Sequence, residues 1–218
     1  MTGLEVEPRP GWVADDVRAE YPELQLFLVP VEARATRSPP EVRQRLRDLS
    51  DRFRGAQAVA MRRSAVPWAY RVFFRHIGLD PDVTRTPIES AAVERLIRGG
   101  WRSDNLLDDA LTIALVETGV PVWALDAEHV EGTPGIRTTL PGEPLGRRVA
   151  EPRRLAAGRL VVADASVPLA VLFGDLAEGH GVGRDTTRML LFTIAVAGVP
   201  RIHVEEALHS SAELLLGI

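Results

Sequence analysis

The sequence contains no cysteine and no lysine, so all 26 basic residues among its 218 are arginine. Without cysteine the chain can form no disulfide, no thiolate nucleophile and no cysteine-ligated zinc site. Without lysine it can form neither a Schiff base with a carbonyl substrate nor a P-loop, whose lysine reaches the nucleotide phosphates. These two absences exclude several enzyme classes before any motif is considered.

Long apolar segments are also missing, since no apolar run approaches the ~20 residues that a membrane-spanning helix needs. The first ten residues carry acids and prolines where a signal peptide would have its apolar core. We therefore expect a cytoplasmic protein with no membrane partner. The net charge of −4 gives no overall basic surplus, so any contact with nucleic acid must come from a local group of arginines.

Composition and length predict one globular domain over residues 1–218. Apolar residues make up 45% and charged residues 26% of the chain, and a chain of this size can bury a sizeable core without metals or crosslinks. Helical patterns with stop residues fill the first half, whereas short apolar runs between glycine, proline and acids fill the second. Separate helix-rich and strand-rich blocks favour an α+β fold over alternating βαβ units.

Six segments are predicted to be helical from apolar periodicity and from start and stop residues. Two of them begin with the sequence of a capping box and a proline in the first turn, namely Ser38 with Glu41 and Thr86 with Glu89. The six predicted helices are Gly11–Tyr21, Ser38–Arg54, Pro67–Ile77, Pro87–Arg98, Leu106–Thr118 and Arg201–Leu216.

Short apolar runs bounded by turn residues predict five strands. Residues Met189–Val196 form either a further strand or a buried helix, because periodicity does not separate the two. The N-terminal part, residues 1–63, is expected to be integral to the domain, since its strand needs a sheet to pair with. The five predicted strands are Leu24–Val31, Val122–Leu125, Gly135–Leu140, Arg159–Ala163 and Leu169–Phe173.

Several common site motifs do not occur. The sequence has no GxGxxG that follows a strand, no HExxH and no GxSxG. Its five histidines are scattered without the spacing of metal ligands. We therefore predict no metal and no cofactor.

The centre of the chain carries the most specific pattern. On the predicted helix Leu106–Thr118, Asp109 and Thr112 lie three residues apart and so share a face. Glu117 lies near the C-terminal end, where the helix dipole disfavours an acid, so we expect it to have a structural partner or a ligand. Pro121 then begins a strand whose polar end is Asp126.

This pattern resembles the B3/B4 editing domain of the bacterial phenylalanyl-tRNA synthetase β subunit, which has the form hVDxxNxxxxExGxPhxAhD with h apolar. The resemblance covers residues 87–192 and includes Val161–Asp164 and Glu178–Thr186. It identifies the chain as a free-standing B3/B4 protein and implies a layered, β-sandwich-like core with flanking helices. The matching positions are Asp109, Glu117, Gly119, Pro121, Ala124, Asp126, Glu131, Gly132, Arg137, Gly142, Glu143 and Leu145.

The sequence departs from the family pattern at three places. Thr112 replaces the motif asparagine, and Trp123 replaces the usual histidine after the proline. Leu176–Gly179 replaces the family's Gly-Gly-Glu-His, with His180 one position late. We expect Trp123 to be a core residue.

The resemblance implies hydrolysis of an amino acid that is wrongly attached to tRNA. A site built for phenylalanine rejects tyrosine poorly, because tyrosine only adds a hydroxyl, so a second site must edit. The resemblance makes Glu178 the catalytic candidate, as the group that reads the substrate or orients water. Asp109, Thr112, Arg137 and His180 are the candidates for substrate binding. The alternative for Asp109 is that it only caps or bridges helices, and the alternative for Arg137 is that it is a surface or ion-pair residue.

The partner implied is tRNA, and the best basic cluster for it is the arginine-rich second helix with the arginines that follow. A solvated helix face with internal ion pairs is the simpler interpretation of the same residues. Two other functions stay open: a non-catalytic RNA- or amino-acid-binding module, and a hydrolase of a small amino-acid-like ester. The candidate RNA-binding residues are Arg43, Arg47, Arg54, Arg62 and Arg63.

Overall fold

The computed structural model describes residues 7–53 and 55–217. Arg54, predicted to end the second helix and to contact RNA, lies outside the described residues. The helices are α1 Asp15–Glu20, α2 Pro40–Arg52, α3 Gly55–Met61, α4 Ala65–His76, α5 Pro87–Arg98, α6 Leu106–Thr118 and α7 Arg201–Leu216. The strands are β1 Arg9–Pro10, β2 Trp12–Val13, β3 Gln25–Glu32, β4 Val122–Asp126, β5 Gly135–Thr138, β6 Glu143–Pro144, β7 Arg154–Leu155, β8 Leu160–Ala163, β9 Pro168–Val171 and β10 Arg188–Ala195.

The first sheet has the strand order β1-β3-β10-β4, and all of its neighbours are antiparallel. Strand β10 pairs with β3 from Arg188 opposite Glu32 to Ala195 opposite Gln25, and it pairs with β4 on its other edge. Pairing on both edges fixes residues 188–195 as a central strand, which decides the ambiguity over Met189–Val196.

The second sheet has the order β2-β5-β8-β9, with β2 parallel to β5. The prediction of one helix over Gly11–Tyr21 is therefore wrong at its start, since Trp12 and Val13 form β2. A Cβ atom on Gly11 would lie 2.5 Å from the carbonyl oxygen of Pro134, so the chain runs flat against its neighbour there. The Trp12 indole N–H also donates to the carbonyl of Thr133 over 2.7 Å, which holds the segment extended.

Helices cover the first sheet, which confirms the α+β fold. Helices α6 and α7 pack against each other, and α7 also packs on β3 and β10. Helix α4 is tied to the same sheet by the Tyr70 hydroxyl, which donates to the Ile194 carbonyl over 2.9 Å. No helix in the described part of the chain is both long and apolar enough to cross a membrane.

The two predicted capping boxes have different outcomes. The box at α5 is present, because Thr86 and Glu89 exchange their side-chain and backbone hydrogen bonds. The box at α2 is absent, since the N-cap is Pro39 and no side chain caps the helix. Ser38 is buried, and its hydroxyl donates instead to the carboxylate of Asp109. The Ser38 hydroxyl is therefore used by Asp109, which is distant in sequence, and does not cap α2.

Candidate functional site

Asp109, a predicted site residue, accepts three hydrogen bonds from the protein. It lies in α6 and is 2% exposed. Its Oδ2 accepts hydrogen bonds from the hydroxyls of Ser38 at 2.6 Å and Ser103 at 2.5 Å, and its Oδ1 accepts from the backbone N–H of Asp104. These bonds tie α6 to the segment before α2 and to the loop after α5. Asp109 therefore holds three pieces of backbone together.

Thr112 is half-buried on the same face of α6 as Asp109. Both residues line a cavity of about 280 Å³ between the end of α5, the loop that follows it, and α6. Arg98, Trp101 and Arg102 also line this cavity. Arg137, Glu178 and His180 are not among its lining residues, so the structure does not bring the predicted site residues into one pocket.

The expected partner of Glu117 is an arginine. Arg45 of α2 donates to its two carboxylate oxygens at 2.5 and 3.1 Å. This two-pronged contact neutralises the acid at the unfavourable end of α6 and joins that helix to α2. The position in the motif is thus occupied by a structural ion pair.

Arg137 also forms an ion pair. It lies in β5, and its guanidinium contacts the Glu143 carboxylate at 2.5 and 2.9 Å. The hydrogen bonds from Arg137 hold the pKa of the Glu143 carboxyl below its ordinary value. The contact anchors the loop that follows β5.

Glu178 lies at the tip of a tight turn. The backbone N–H of His180 donates to the carbonyl of Ala177 at 3.0 Å, and Gly179 takes the left-handed conformation that such a turn needs, with φ of 75°. The flanks are fixed, because Ala177 N–H donates to the Leu169 carbonyl and Asp126 N–H donates to the His180 carbonyl. The Glu178 side chain is exposed, and no group in the described residues pairs with its carboxylate.

His180 is the buried side of the same turn. Its ring is fully buried, with Nδ1 at 3.2 Å from the carbonyl oxygen of Glu178, and its buried Nε2 has no hydrogen-bond partner in the described part of the chain. Burial lowers the pKa of His180, and the nearby charge of Arg147 adds to this effect. A Nδ1–H tautomer would donate to the backbone carbonyl of Glu178 and leave Nε2 unprotonated. His180 thus supports the turn from below.

Arg147 and Asp164 form the frame beside this turn. Arg147 donates to Oδ2 of Asp164 at 2.9 Å and to the His129 carbonyl at 3.0 Å. Burial opposes ionisation of Asp164, but backbone N–H groups of Val167 and Glu131 and the Arg147 guanidinium hold its pKa below the ordinary value. The frame joins the loops around the turn into one fixed assembly.

Arg148, which the sequence prediction did not select, lies beside the Glu178 turn. Its side chain is exposed, and no acid in the described residues pairs with it. A Cβ atom placed on Gly179 would lie 2.7 Å from Cβ of Arg148, so the two backbones are in close contact. The Arg147–Arg148 pair was visible in the sequence, but only the fold shows that one arginine points inward to Asp164 and its neighbour to the surface.

The arginines predicted to bind RNA are divided among different roles. Arg47 is exposed and donates to Gln44 of its own helix. Arg43 is half-buried, and its Nε has no partner in the described residues. Arg63 is exposed. Arg62 is held by the carboxylates of Glu89 and Asp82.

A partly buried ion network joins α4 to α5. Arg71 donates to Glu89 at 2.5 Å and to Asp82 at 2.7 Å, and Arg62 contacts the same two acids. Burial opposes ionisation of Glu89, yet the hydrogen bonds from Thr86 and Arg62 hold its pKa below the ordinary value. Arg62 therefore has its guanidinium committed to protein carboxylates.

Trp123 belongs to an aromatic cluster, in line with its predicted core role. It stacks on Phe192 with ring centroids 5.5 Å apart and meets Phe173 edge-on at 5.8 Å. Phe173 has a φ of 58°, an unusual conformation for a residue with a side chain, and also contacts Tyr70 and Phe74.

In the described residues, no group of three or more His, Cys, Asp or Glu side chains could hold a metal ion.

Comparison with known families and proteins adds a relationship to this geometry. The model of the B3/4 domain family matches residues 69–213, which is most of the chain and includes α6, strands β4 to β10 and the Glu178 turn.

Among curated proteins, the chain is 32% identical over 126 residues to a phenylalanine–tRNA ligase beta subunit of Yersinia pestis. It is 33% identical over 136 residues to the corresponding subunit of Pseudoalteromonas translucida. These matches cover 55% and 59% of this chain but only 15% and 16% of the two relatives. The chain thus spans a small part of the length of the relatives that it matches.

Proposed function

Because the chain belongs to the B3/4 domain family, we propose that it binds aminoacyl-tRNA and hydrolyses the ester of a mischarged one. The relatives are subunits of a ligase that acts on tRNA, and the chain matches only one part of them. The proposal therefore concerns what this part does by itself. It includes no synthesis of aminoacyl-tRNA.

The single observation that carries the proposal is the Glu178 turn. Its carboxylate is exposed and unpaired within the described residues, while the backbone on both sides is fixed by hydrogen bonds. A carboxylate that extends from a fixed backbone and has no protein partner is available to a ligand. The other acids of the motif, Asp109 and Glu117, are already satisfied by protein donors.

The reaction needs no protein nucleophile, since an aminoacyl ester is already activated. Water adds to the ester carbonyl, the acyl C–O bond breaks, and the products are the free amino acid and tRNA with a free terminal hydroxyl. Glu178 would orient or deprotonate that water, a role for which a carboxylate is suited. Positioning against a few donors supplies the rest of the acceleration.

The remaining predicted residues would act through position. His180 is buried beside the Glu178 backbone and would support the turn, whereas Asp109 is buried in α6 and would act only by holding that helix to its neighbouring loops. Thr112 lines the separate cavity between α5 and α6 and Arg137 is paired with Glu143, so any part of either residue in binding would be indirect. For tRNA, Arg43, Arg47 and Arg63 remain as candidate phosphate contacts, because their guanidinium groups carry no ion pair in the described residues.

A second candidate, a hydrolase of a small amino-acid-like ester, is favoured by the charge distribution. The net charge is −4, and Arg62, Arg71 and Arg137 are committed to carboxylates. A long RNA contact usually requires a continuous basic surface. A small ester would need only the surroundings of the Glu178 turn.

The test is a deacylation assay with a panel of correctly charged and mischarged tRNAs and the matching amino acid methyl esters. The proposal predicts hydrolysis of at least one mischarged tRNA well above the uncatalysed rate, with methyl esters cleaved far more slowly. Equal hydrolysis of methyl esters would establish the second candidate. If the protein binds tRNA but hydrolyses nothing, it is a non-catalytic binding module and the hydrolase proposal is wrong.

A further inference from the structure

Two glycines allow the segment 146–148 to lie directly against the Glu178 turn. A Cβ atom on Gly146 would lie 2.7 Å from Cβ of Ala177 and about 3 Å from the His180 ring, and Gly146 has a φ of 80°. On the opposite side, a Cβ atom on Gly179 would lie 2.7 Å from Cβ of Arg148. The absence of a side chain at Gly146 and at Gly179 thus allows the segment 146–148 and the Glu178 turn to pack in direct contact.

The charged side chains beside this contact point in different directions. Arg147 points inward and is bound to Asp164 and to the His129 carbonyl. Arg148 lies against Gly179, and Glu178 directly precedes Gly179 in the chain. Both side chains are exposed. Although they carry opposite charges, no ion pair joins them in the described part of the chain.

We propose that Arg148 and Glu178 together form the binding site for the aminoacylated end of tRNA, with Arg148 on a backbone phosphate and one carboxylate oxygen of Glu178 on the α-ammonium group, which leaves the other oxygen for water. The inference rests on the proposed function and adds a residue and a recognition chemistry to it. An aminoacyl nucleotide carries a cation on its amino acid and an anion on its 5′-phosphate, with the ribose between them. An exposed acid and an exposed arginine on one fixed platform match that arrangement of charge.

Arginine suits this role because its planar guanidinium presents two parallel donors to a phosphate. Two other arginines of this region are not free to do so, since Arg147 and Arg153 are paired with Asp164 and Asp175. The ammonium group of an aminoacyl ester distinguishes a charged tRNA from an uncharged one. Contact with Glu178 would therefore favour the aminoacylated form over the free tRNA.

The experiment uses non-hydrolysable 3′-aminoacylamido adenosine, prepared with tyrosine and with phenylalanine, each with and without a 5′-phosphate. Calorimetry measures the affinity of the wild type, of Arg148→Gln and of Arg85→Gln. Arg85 is a matched control, because it is exposed and unpaired in the described residues but lies in the loop before α5. We expect the 5′-phosphate to improve wild-type affinity about tenfold, as one charge-assisted contact does. Arg148→Gln should abolish the improvement, and Arg85→Gln should retain it.

Glu178 has its own arm of the experiment. Glu178→Gln should weaken binding of the aminoacylamido compound severalfold and leave binding of adenosine 5′-phosphate unchanged. The exposed Glu23 provides the control Glu23→Gln, which should change neither.

The outcomes separate the inference from the proposed function. If the wild type deacylates a mischarged tRNA but the phosphate effect survives in Arg148→Gln, the Arg148 assignment is wrong and the function stands. If the wild type binds none of the compounds and deacylates no tRNA, the proposed function fails and this inference fails with it. The assignment is supported if the 5′-phosphate no longer improves the affinity of Arg148→Gln but still improves that of Arg85→Gln.

Discussion

The hydroxyl of Ser38 donates a 2.6 Å hydrogen bond to Oδ2 of Asp109, a residue 71 positions further along the chain. Asp109 is the first residue of the motif that relates this chain to its family, yet its oxygens are used by Ser38, Ser103 and the Asp104 backbone. In this protein Asp109 joins α6 to two loops through hydrogen bonds, and its effect on a ligand would be indirect.

Asp109→Asn tests that role. The amide would turn an N–H₂ group toward groups that are themselves donors, so we expect a loss of about 1–3 kcal/mol in the free energy of unfolding. Urea denaturation measures it. The adjacent Asp108→Asn is the control, because Asp108 is exposed and should cost less than about 1 kcal/mol. Unchanged stability of Asp109→Asn together with lost ligand binding would show instead that Asp109 contacts the ligand.

The buried pair Arg71–Glu89 should contribute strongly to stability. Both side chains are 5% exposed, so Arg71→Met leaves Glu89 with a buried charge and only Arg62 as a cationic partner. We expect a loss of about 3–5 kcal/mol in the free energy of unfolding. The surface pair Arg98–Glu94 is the comparison, and Arg98→Met should cost about 0.5 kcal/mol. Similar losses for the two variants would contradict this account of the network.

His180 should make stability depend on pH near neutrality. Its folded-state pKa lies below the ordinary value of 6.5, so the unfolded chain takes up a proton before the folded protein does. The stability that its neutral form contributes is complete above 6.5 and is lost as pH falls from there through the lower folded-state pKa. The facing groups are Arg147 and His129, whose charges oppose protonation, and Asp164, which is already bonded to Arg147.

The measurement is the free energy of unfolding at several pH values for the wild type and His180→Asn. The variant should be less stable at neutral pH, but its stability should change less between about pH 7 and about pH 5.5. The carboxyls with lowered pKa, Glu89, Glu143 and Asp164, lose their contributions only as pH falls through their own lower values. An equally steep decline in His180→Asn would assign the dependence to another group.

Arg62 and Arg63 should differ in tRNA binding although they are neighbours. Arg63 is exposed and unpaired in the described residues, whereas Arg62 is bound to Glu89 and Asp82. Under the proposed function, Arg63→Gln should reduce the slope of log affinity against log salt by about 0.9, the value for one phosphate contact on duplex nucleic acid. Arg62→Gln should change the slope less. Fluorescence anisotropy with labelled tRNA at several salt concentrations measures both, and equal slopes would remove Arg63 from the interface.

The sequence predicts structure well where local chemistry decides it. Thr86 and Glu89 lie three residues apart, and the capping box forms as their spacing indicates. Ser38 and Glu41 have the same spacing and form none, because Asp109 competes for the Ser38 hydroxyl. Residues Met189–Val196 were undecided for a similar reason, since their state depends on β3 and β4 on either side.

The candidate site was harder to predict than the fold. The motif positions Asp109, Glu117 and Arg137 were found, but their partners Ser38, Arg45 and Glu143 are not part of any spacing rule. The sequence does not single out Arg148, because nothing in it distinguishes the inward-pointing arginine from its exposed neighbour. Only the close contact of residues 146–148 with the Glu178 turn separates them.

The measurement that tests the central claim most directly is single-turnover deacylation of a mischarged tRNA by the wild type, Glu178→Gln and the control Glu23→Gln. If the exposed carboxylate on the fixed turn orients or deprotonates water, Glu178→Gln should lower the rate constant about 100-fold or more, and Glu23→Gln should match the wild type. An active wild type with an equally active Glu178→Gln variant would contradict the assignment of Glu178.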